Sequence, residues 1–349
     1  MPLRNMAHQE PENYWPQPNQ YQHKSMRTTF LHRRKDFKSL IGTLSSEIGI
    51  LEALVEKDYW IMHVLYGMKT LGLDFELKGG TSLSKGFKII DRFSEDIDLH
   101  ITTPRPFIDE TGIIVNENPK SSGKNIIDNR MKFFDWLVDY IRIDGIVAER
   151  DTEFDDKNGR NGGIRLSYDG LFGSAPGIKD GIVLEVGFAK VTPNENVHIS
   201  SWMYDKAIEA KLKITDNRAL EIACYHPGYT LVEKLQTIVT KFRGEQGKGD
   251  VGPKVNFMRQ YYDVYRLLQR NDIQQFITTQ TYLEHKRDWF PEVDLDVPLS
   301  QKEAFLLSNK EIRQDFKNRY TGTSGLYYQG QPDFDEILKY IQINLNKLG

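Results

Sequence analysis

The spacing of apolar positions divides the chain into helical and strand-like stretches. From about Thr29 to Thr70, apolar residues recur at three- and four-residue steps: Leu40, Ile41 and Leu44, then Ile48, Leu51, Leu54 and Val55. Trp60, Val64 and Leu65 continue that helical pattern. "FELKGG" predicts a short strand entering a glycine turn, and "TSLSKGFKII" predicts a helix with Leu83, Phe87 and Ile90 on one face. "DIDLHI" alternates and predicts a strand. A polar loop spans roughly 102–124, before a helix from about Ile126 to Ile141 carrying Phe133, Phe134 and Leu137. "GGIRLSYDG" and "DGIVLEVGF" predict two more strands. In "HPGYTLVEKLQTIVTKF", Pro227 and Gly228 break the chain, Thr230 is placed as a helix cap, and Glu233 completes a capping box. "FMRQYYDVYRLL" predicts a further helix, and the last third reads as mostly helical with Trp289 and Phe290 in its core. The expected fold class is α+β: a mixed domain over 29–200 and a helical domain over 201–349. Residues 1–28, rich in Pro, Gln and Asn, are expected to form a poorly ordered tail.

Composition narrows the picture without deciding it. A chain of 349 residues exceeds the usual size of one hydrophobic core, which supports the division in two. Hydrophobic residues at 39% and charged residues at 27% suit a soluble globular protein. Lys+Arg 46 against Asp+Glu 49 gives a net charge of -3, which neither announces nor excludes a nucleic-acid partner. The single cysteine, Cys224, rules out an intramolecular disulfide and a Cys-based zinc site, and fits a reducing cytoplasm. No apolar run approaches the roughly 18 residues of a membrane helix, and the first residues lack the apolar core of a signal peptide.

Chemistry concentrates in "KGGTSLSKGFKIIDRFSEDIDLHI", Lys78 to Ile101. Strand period puts Asp96, Asp98 and His100 on one face and Ile97, Leu99 and Ile101 on the other. Two neighbouring carboxylates repel, and burial pushes at least one toward protonation unless a cation compensates; hard oxygen ligands suit Mg²⁺. Gly79 and Gly80 allow backbone N–H groups close to an anion at the start of the next helix, and Thr81 and Ser82 add hydroxyls. A phosphate cradle facing a carboxylate pair is the equipment of metal-assisted phosphoryl or nucleotidyl transfer.

Gly79-Gly80-Thr81-Ser82 followed after thirteen residues by Asp96-Ile97-Asp98 resembles the signature of polymerase-β-like nucleotidyltransferases. The fuller string "KGGTSLSKGF…RFSEDIDL", preceded by "EKDYW", resembles the nucleotidyltransferase AbiEii/AbiGii toxin family over roughly residues 50 to 270. The resemblance implies a compact mixed sheet flanked by helices, with a helical accessory domain. It implies one or two Mg²⁺ on Asp96 and Asp98, with Glu185 of "IVLEVGF" as the third carboxylate; the competing reading of Glu185 is a strand-edge residue in solvent. It places Lys78, Gly79, Gly80, Thr81, Ser82 and Arg92 around the nucleotide. Lys234 in "LVEKLQ" neutralises phosphate in this reading, or else lays its stem over the core. Asp263 in "RQYYDVYRL" lies near the nucleotide with Arg259 or Lys234 as partner, or else forms an ordinary i,i+4 ion pair with Arg259. The implied activity is transfer of NMP from an NTP to an acceptor such as tRNA. The context is a toxin–antitoxin or phage-defence system, with a cognate antitoxin as protein partner. A small-molecule- or protein-modifying nucleotidyltransferase and an inactive nucleotide-binding regulator remain as alternatives.

The other candidates are weaker. His100 reads as a satisfied strand histidine, and "GEQGKGDVGPK" lacks the Gly-Lys-Ser/Thr of a P-loop, though its Lys248 and Lys254 are placed to meet phosphate or RNA. "LHRRKDFK" is a small basic cluster that reads as a solvated face, with an RNA contact as the rival.

Overall fold

The computed structural model describes residues 28–173, 178–189, 191–247 and 256–349. Nearly all of the expected tail, together with Lys248 and Lys254, lies outside these. Among the described residues the strands are β1 (Phe75–Lys78), β2 (Ile97–Ile101), β3 (Val147–Arg150), β4 (Asn161–Ser167), β5 (Ile182–Gly187), β6 (Asn194–Ile199) and β7 (Ala219–Tyr225). They form one mixed sheet in the order β3-β4-β5-β2-β1-β7-β6. β1 pairs antiparallel with β2 and parallel with β7, and β2 pairs parallel with β5. The expected boundary near residue 200 therefore does not bound the sheet. β7 lies beyond it and runs beside β1, so the sheet-bearing part of the chain extends to Tyr225.

Alternation explains why these segments are strands. Phe75, Leu77, Ile97, Leu99, Ile101, Leu184 and Val186 share one face and are buried. Each such side chain taken from water contributes roughly 1.5–3 kcal/mol. Helix α1 (Phe37–Ile48) ends at Gly49 in the left-handed conformation, φ 69°, and α2 (Glu52–Thr70) follows. The continuous apolar stripe predicted over that region is thus two helices meeting at Gly49. α2 is buried along most of its length.

The helix expected over 81–90 is shorter. It starts as α3 (Gly79–Thr81), continues as a π-turn over Ser82–Gly86 and stops; the Phe87 N–H donates to the Ser82 carbonyl at 2.9 Å. The expected polar loop contains α4 (Arg105–Thr111), and α5 (Lys124–Tyr140) matches its prediction. α5 packs on the apolar sheet face, where Phe134 takes the space a side chain at Gly162 would need. α6 (Trp202–Glu209) links to β7, after which the described chain is helical. α7 (Pro227–Glu245) and α8 (Arg259–Leu268) lead this part, followed by α9 (Asn271–Phe276), α10 (Gln280–Trp289), α11 (Glu303–Leu306), α12 (Lys310–Thr321) and α13 (Phe334–Asn344). α7 begins four residues before the expected box of Thr230 and Glu233 would allow. His226 is its N-cap, accepting from the Gly228 N–H, and Pro227 opens the first turn, where its missing N–H costs nothing.

Candidate active site

Lys78, Asp98 and Glu185 stand side by side across three neighbouring strands. Asp98 of β2 is in register with Lys78 of β1 and with Glu185 of β5. Residues paired in this way project to the same face, so two carboxylates and one ammonium share the polar side of the sheet. Asp98 and Glu185 stand close enough for each carboxyl to perturb the other, and sharing a proton relieves their repulsion when no cation is present. Burial, joined by the charge of Asp98, pushes Glu185 up to about 7. Asp98 is also raised, first by burial and then by Asp96, against the pull of Lys78 and Lys234. Glu185 accepts a hydrogen bond from Asn161 at 3.3 Å and is partly buried, not a strand-edge residue in open solvent.

The glycine pair lets the carboxylate strand approach the turn. Gly79 adopts φ 71°, and a Cβ there would lie 2.1 Å from an Asp98 carboxylate oxygen. A Cβ on Gly80 would lie 2.4 Å from the Ser94 hydroxyl. The hydroxyls expected to meet phosphate are engaged within the chain. Thr81, fully buried, donates to the Asp96 carbonyl, and Ser82, also buried, donates to the Gly79 carbonyl at 3.0 Å. Both fix the turn against the strand.

Asp96, whose charge reaches both Asp98 and Glu185, is ion-paired with Lys179, whose Nζ lies 3.0 Å from its Oδ2. Among the described residues no group of three or more His, Cys, Asp or Glu side chains is arranged to hold a metal ion. The expected trio of Asp96, Asp98 and Glu185 is therefore only partly assembled here. The pair that is assembled fits a hard cation, because two neighbouring half-buried carboxyls, both raised by desolvation, are what a divalent ion would neutralise.

Arg92 and Asp263, expected around the nucleotide, form a buried fork with each other. The Arg92 guanidinium donates twice to the Asp263 carboxylate, at 2.7 and 2.6 Å, with the two residues 3% and 0% exposed. Lys234 lies 3.2 Å from the same carboxylate. Burial opposes the ionisation of Asp263, but the charges and hydrogen bonds of Arg92 and Lys234 overcome it and hold its carboxyl below the usual range. The i,i+4 pair between Asp263 and Arg259 does not form. Arg259 makes no hydrogen bond or ion pair to the described residues, and burial and then the nearby Arg92 charge depress its pKa. The charge of Lys234 also reaches Asp98, linking this cluster to the carboxylate face.

Two contributions were not foreseen. Glu233 lies beside Lys78, Lys234 and Asp98; burial raises its pKa, and its Oε1 has no hydrogen-bond partner among the described residues. Lys57 of "EKDYW" and Glu95 of "RFSEDIDL" form a buried ion pair at 3.1 Å, so the two strings that flank the glycine turn in sequence touch in space. His100 lies 3.0 Å from Glu76 on the same face, but neither of its buried ring nitrogens makes a hydrogen bond among the described residues, so the expected satisfied histidine is not borne out. Within the basic cluster, Arg33 pairs with Asp144 and Arg34 with Asp36.

A mixed sheet with a glycine turn, a carboxylate strand and lysines converging on one face defines a nucleotidyltransferase-type site. The model of the nucleotidyl transferase AbiEii toxin family, of type IV toxin–antitoxin systems, matches residues 63–340, and the chain belongs to that family. It is a nucleotidyltransferase toxin, and family membership implies a nucleotide substrate and an antitoxin partner. Among solved structures, MenT4, a nucleotidyltransferase toxin from Mycobacterium tuberculosis H37Rv, superposes with a TM-score of 0.55 at 16% identity, covering 89% of each chain. That likeness bears on the fold. No curated protein sequence matches the chain. No helix among the described residues is long and apolar enough to cross a membrane.

Proposed function

We propose that the face carrying Asp96, Asp98 and Glu185 transfers NMP from an NTP to a hydroxyl of an RNA acceptor, of the tRNA class, in a Mg²⁺-dependent reaction in the cytoplasm. The observation that carries this reading is the register of Lys78, Asp98 and Glu185, which brings two carboxyls together on a face shared with the Lys78 ammonium. Mg²⁺ on Asp98 and Glu185, joined by Asp96 once it leaves Lys179, would supply Lewis-acid neutralisation of phosphate charge. Lys78 and Lys234 reach the same face, and Arg259 offers a guanidinium with no hydrogen-bond or ion-pair partner among the described residues. These cations bind the phosphate chain and stabilise the charge that accumulates on departing pyrophosphate. The acceptor hydroxyl attacks the α-phosphorus, the bond to the β-phosphate oxygen breaks, and the hydroxyl proton passes to a carboxylate of the face. Arg92 and Asp263 act from behind, holding Lys234 in place.

The test is incubation of the protein with total RNA, Mg²⁺ and each α-labelled NTP in turn. Label on an RNA band that disappears on chelation with EDTA is expected. Label on a small molecule or on protein, with none on RNA, would overturn the acceptor. Nucleotide binding without transfer to any of the three would overturn the reaction.

A further inference from the structure

We propose that Lys179 is a phosphate-binding residue of the nucleotide site, parked on Asp96 until the nucleotide's phosphate chain draws it away. This rests on the reading of the carboxylate face as the nucleotide site. Lys179 precedes β5, and its backbone is gripped from both sides. Its N–H donates to Glu95 Oε2 at 2.7 Å, and its carbonyl accepts from Lys57 Nζ at 2.8 Å. Lys57 and Glu95 are themselves ion-paired, with side chains 2% and 4% exposed. Burying two opposite charges is expensive and repays only when their remaining hydrogen-bonding capacity is met. Here that capacity goes to one residue, so the position of Lys179 is specified by the interior of the protein.

The far end of the side chain is held differently. Nζ lies 3.0 Å from Asp96 Oδ2 and 3.4 Å from Oδ1, and 5.2 Å from the centre of the Phe154 ring. The Lys179 side chain is 41% exposed and that of Asp96 27%. An ion pair this open to water contributes little, so its partners exchange readily. A firmly anchored backbone with a loosely held ammonium is the arrangement of a residue that changes partners. Lysine suits phosphate as a point charge on a flexible stem. A polyphosphate presents several negative charges where Asp96 presents one, so it wins the ammonium. The same exchange frees both Asp96 oxygens, which join Asp98 and Glu185 only when nucleotide is present.

The test is calorimetric titration of the full chain with inorganic tripolyphosphate and, separately, with Mn²⁺ alone. Lys179→Gln is expected to weaken tripolyphosphate binding about tenfold, the loss of one charge-assisted contact, while Lys179→Arg restores most of it. Mn²⁺ alone is expected to bind Lys179→Gln as tightly as the wild type or a few-fold more tightly, since a competing cation has been removed from Asp96. A merely structural lysine would not weaken tripolyphosphate binding while leaving Mn²⁺ binding intact or strengthened. Lys78→Gln is the control. If it weakens tripolyphosphate while Lys179→Gln binds within twofold of the wild type, the assignment of Lys179 is wrong and the site stands. If neither variant weakens binding, the phosphate site is elsewhere and both readings fall.

Discussion

Glu185 pays the electrostatic cost of standing opposite Asp98. An unfolded glutamate ionises near 4.5, whereas burial and Asp98 push the folded carboxyl up to about 7. The stability gained from keeping it protonated is fully present below about 4.5 and is lost as the pH rises through about 7. Glu185→Gln removes that loss. In metal-free buffer its melting temperature is expected to match the wild type at pH 5 and exceed it at pH 8, by the equivalent of about 1–3 kcal/mol. Equal melting temperatures at both pH values would mean the two carboxyls are not in contact. The alternation of "IVLEVGF" shows which face Glu185 takes, but not that it meets Asp98, because register is a property of two strands and only one is visible in any segment. Glu233 was misplaced for a related reason. Thr230 and Glu233 have capping-box spacing, but Pro227 starts the helix earlier, and the box residues fall inside it.

At the scale of elements, the Arg92–Asp263 fork ties the loop before β2 to α8. Removing one member strands the other's charge in the interior. Asp263→Asn is therefore expected to cost about 3–5 kcal/mol in urea unfolding, while the double replacement Arg92→Met with Asp263→Leu recovers most of that. If the single variant keeps its stability and loses only nucleotide affinity, the pair belongs to the nucleotide site and not to the scaffold. The sequence displays Arg259 four residues before Asp263 on a helix, which suggests a local partner; of the two expected partners only Lys234 reaches the carboxylate, and Arg92 was not foreseen there. Long-range salt bridges outcompete local ones when burial makes them stronger, and no local pattern reports that. The same limit hid the Lys57–Glu95 pair. The strands β3, β6 and β7 were missed because their alternation is short or broken; β7, "ALEIACY", leaves Leu220 exposed and has Glu221 at φ 52°.

At the scale of the molecule, the composition and the strand–turn–strand signature made the mixed sheet and its glycine turn legible, but the extent of the sheet was not. β7 is inserted between β1 and β6 from beyond residue 200. The far end of the chain also returns to the site: the Phe93 N–H donates to the Leu326 carbonyl at 2.7 Å, and the Tyr328 hydroxyl donates to the Ile90 carbonyl at 3.2 Å. A fragment ending at residue 200 exposes the backbone edge of β1 and the apolar face that β7 covers. It is expected to aggregate on gel filtration at concentrations where the full chain is dispersed. A dispersed, cooperatively melting fragment would show that the first part folds alone.

The central claim is that Asp98, set between Lys78 and Glu185, carries nucleotidyl transfer. Single-turnover transfer of α-labelled nucleotide by Asp98→Asn, with circular dichroism to confirm the fold, tests it most directly. The expected result is at least a thousandfold slower transfer, equivalent to about 4 kcal/mol of lost transition-state stabilisation, in a protein that melts no lower than the wild type. Transfer within tenfold of the wild type by a folded Asp98→Asn protein would contradict it.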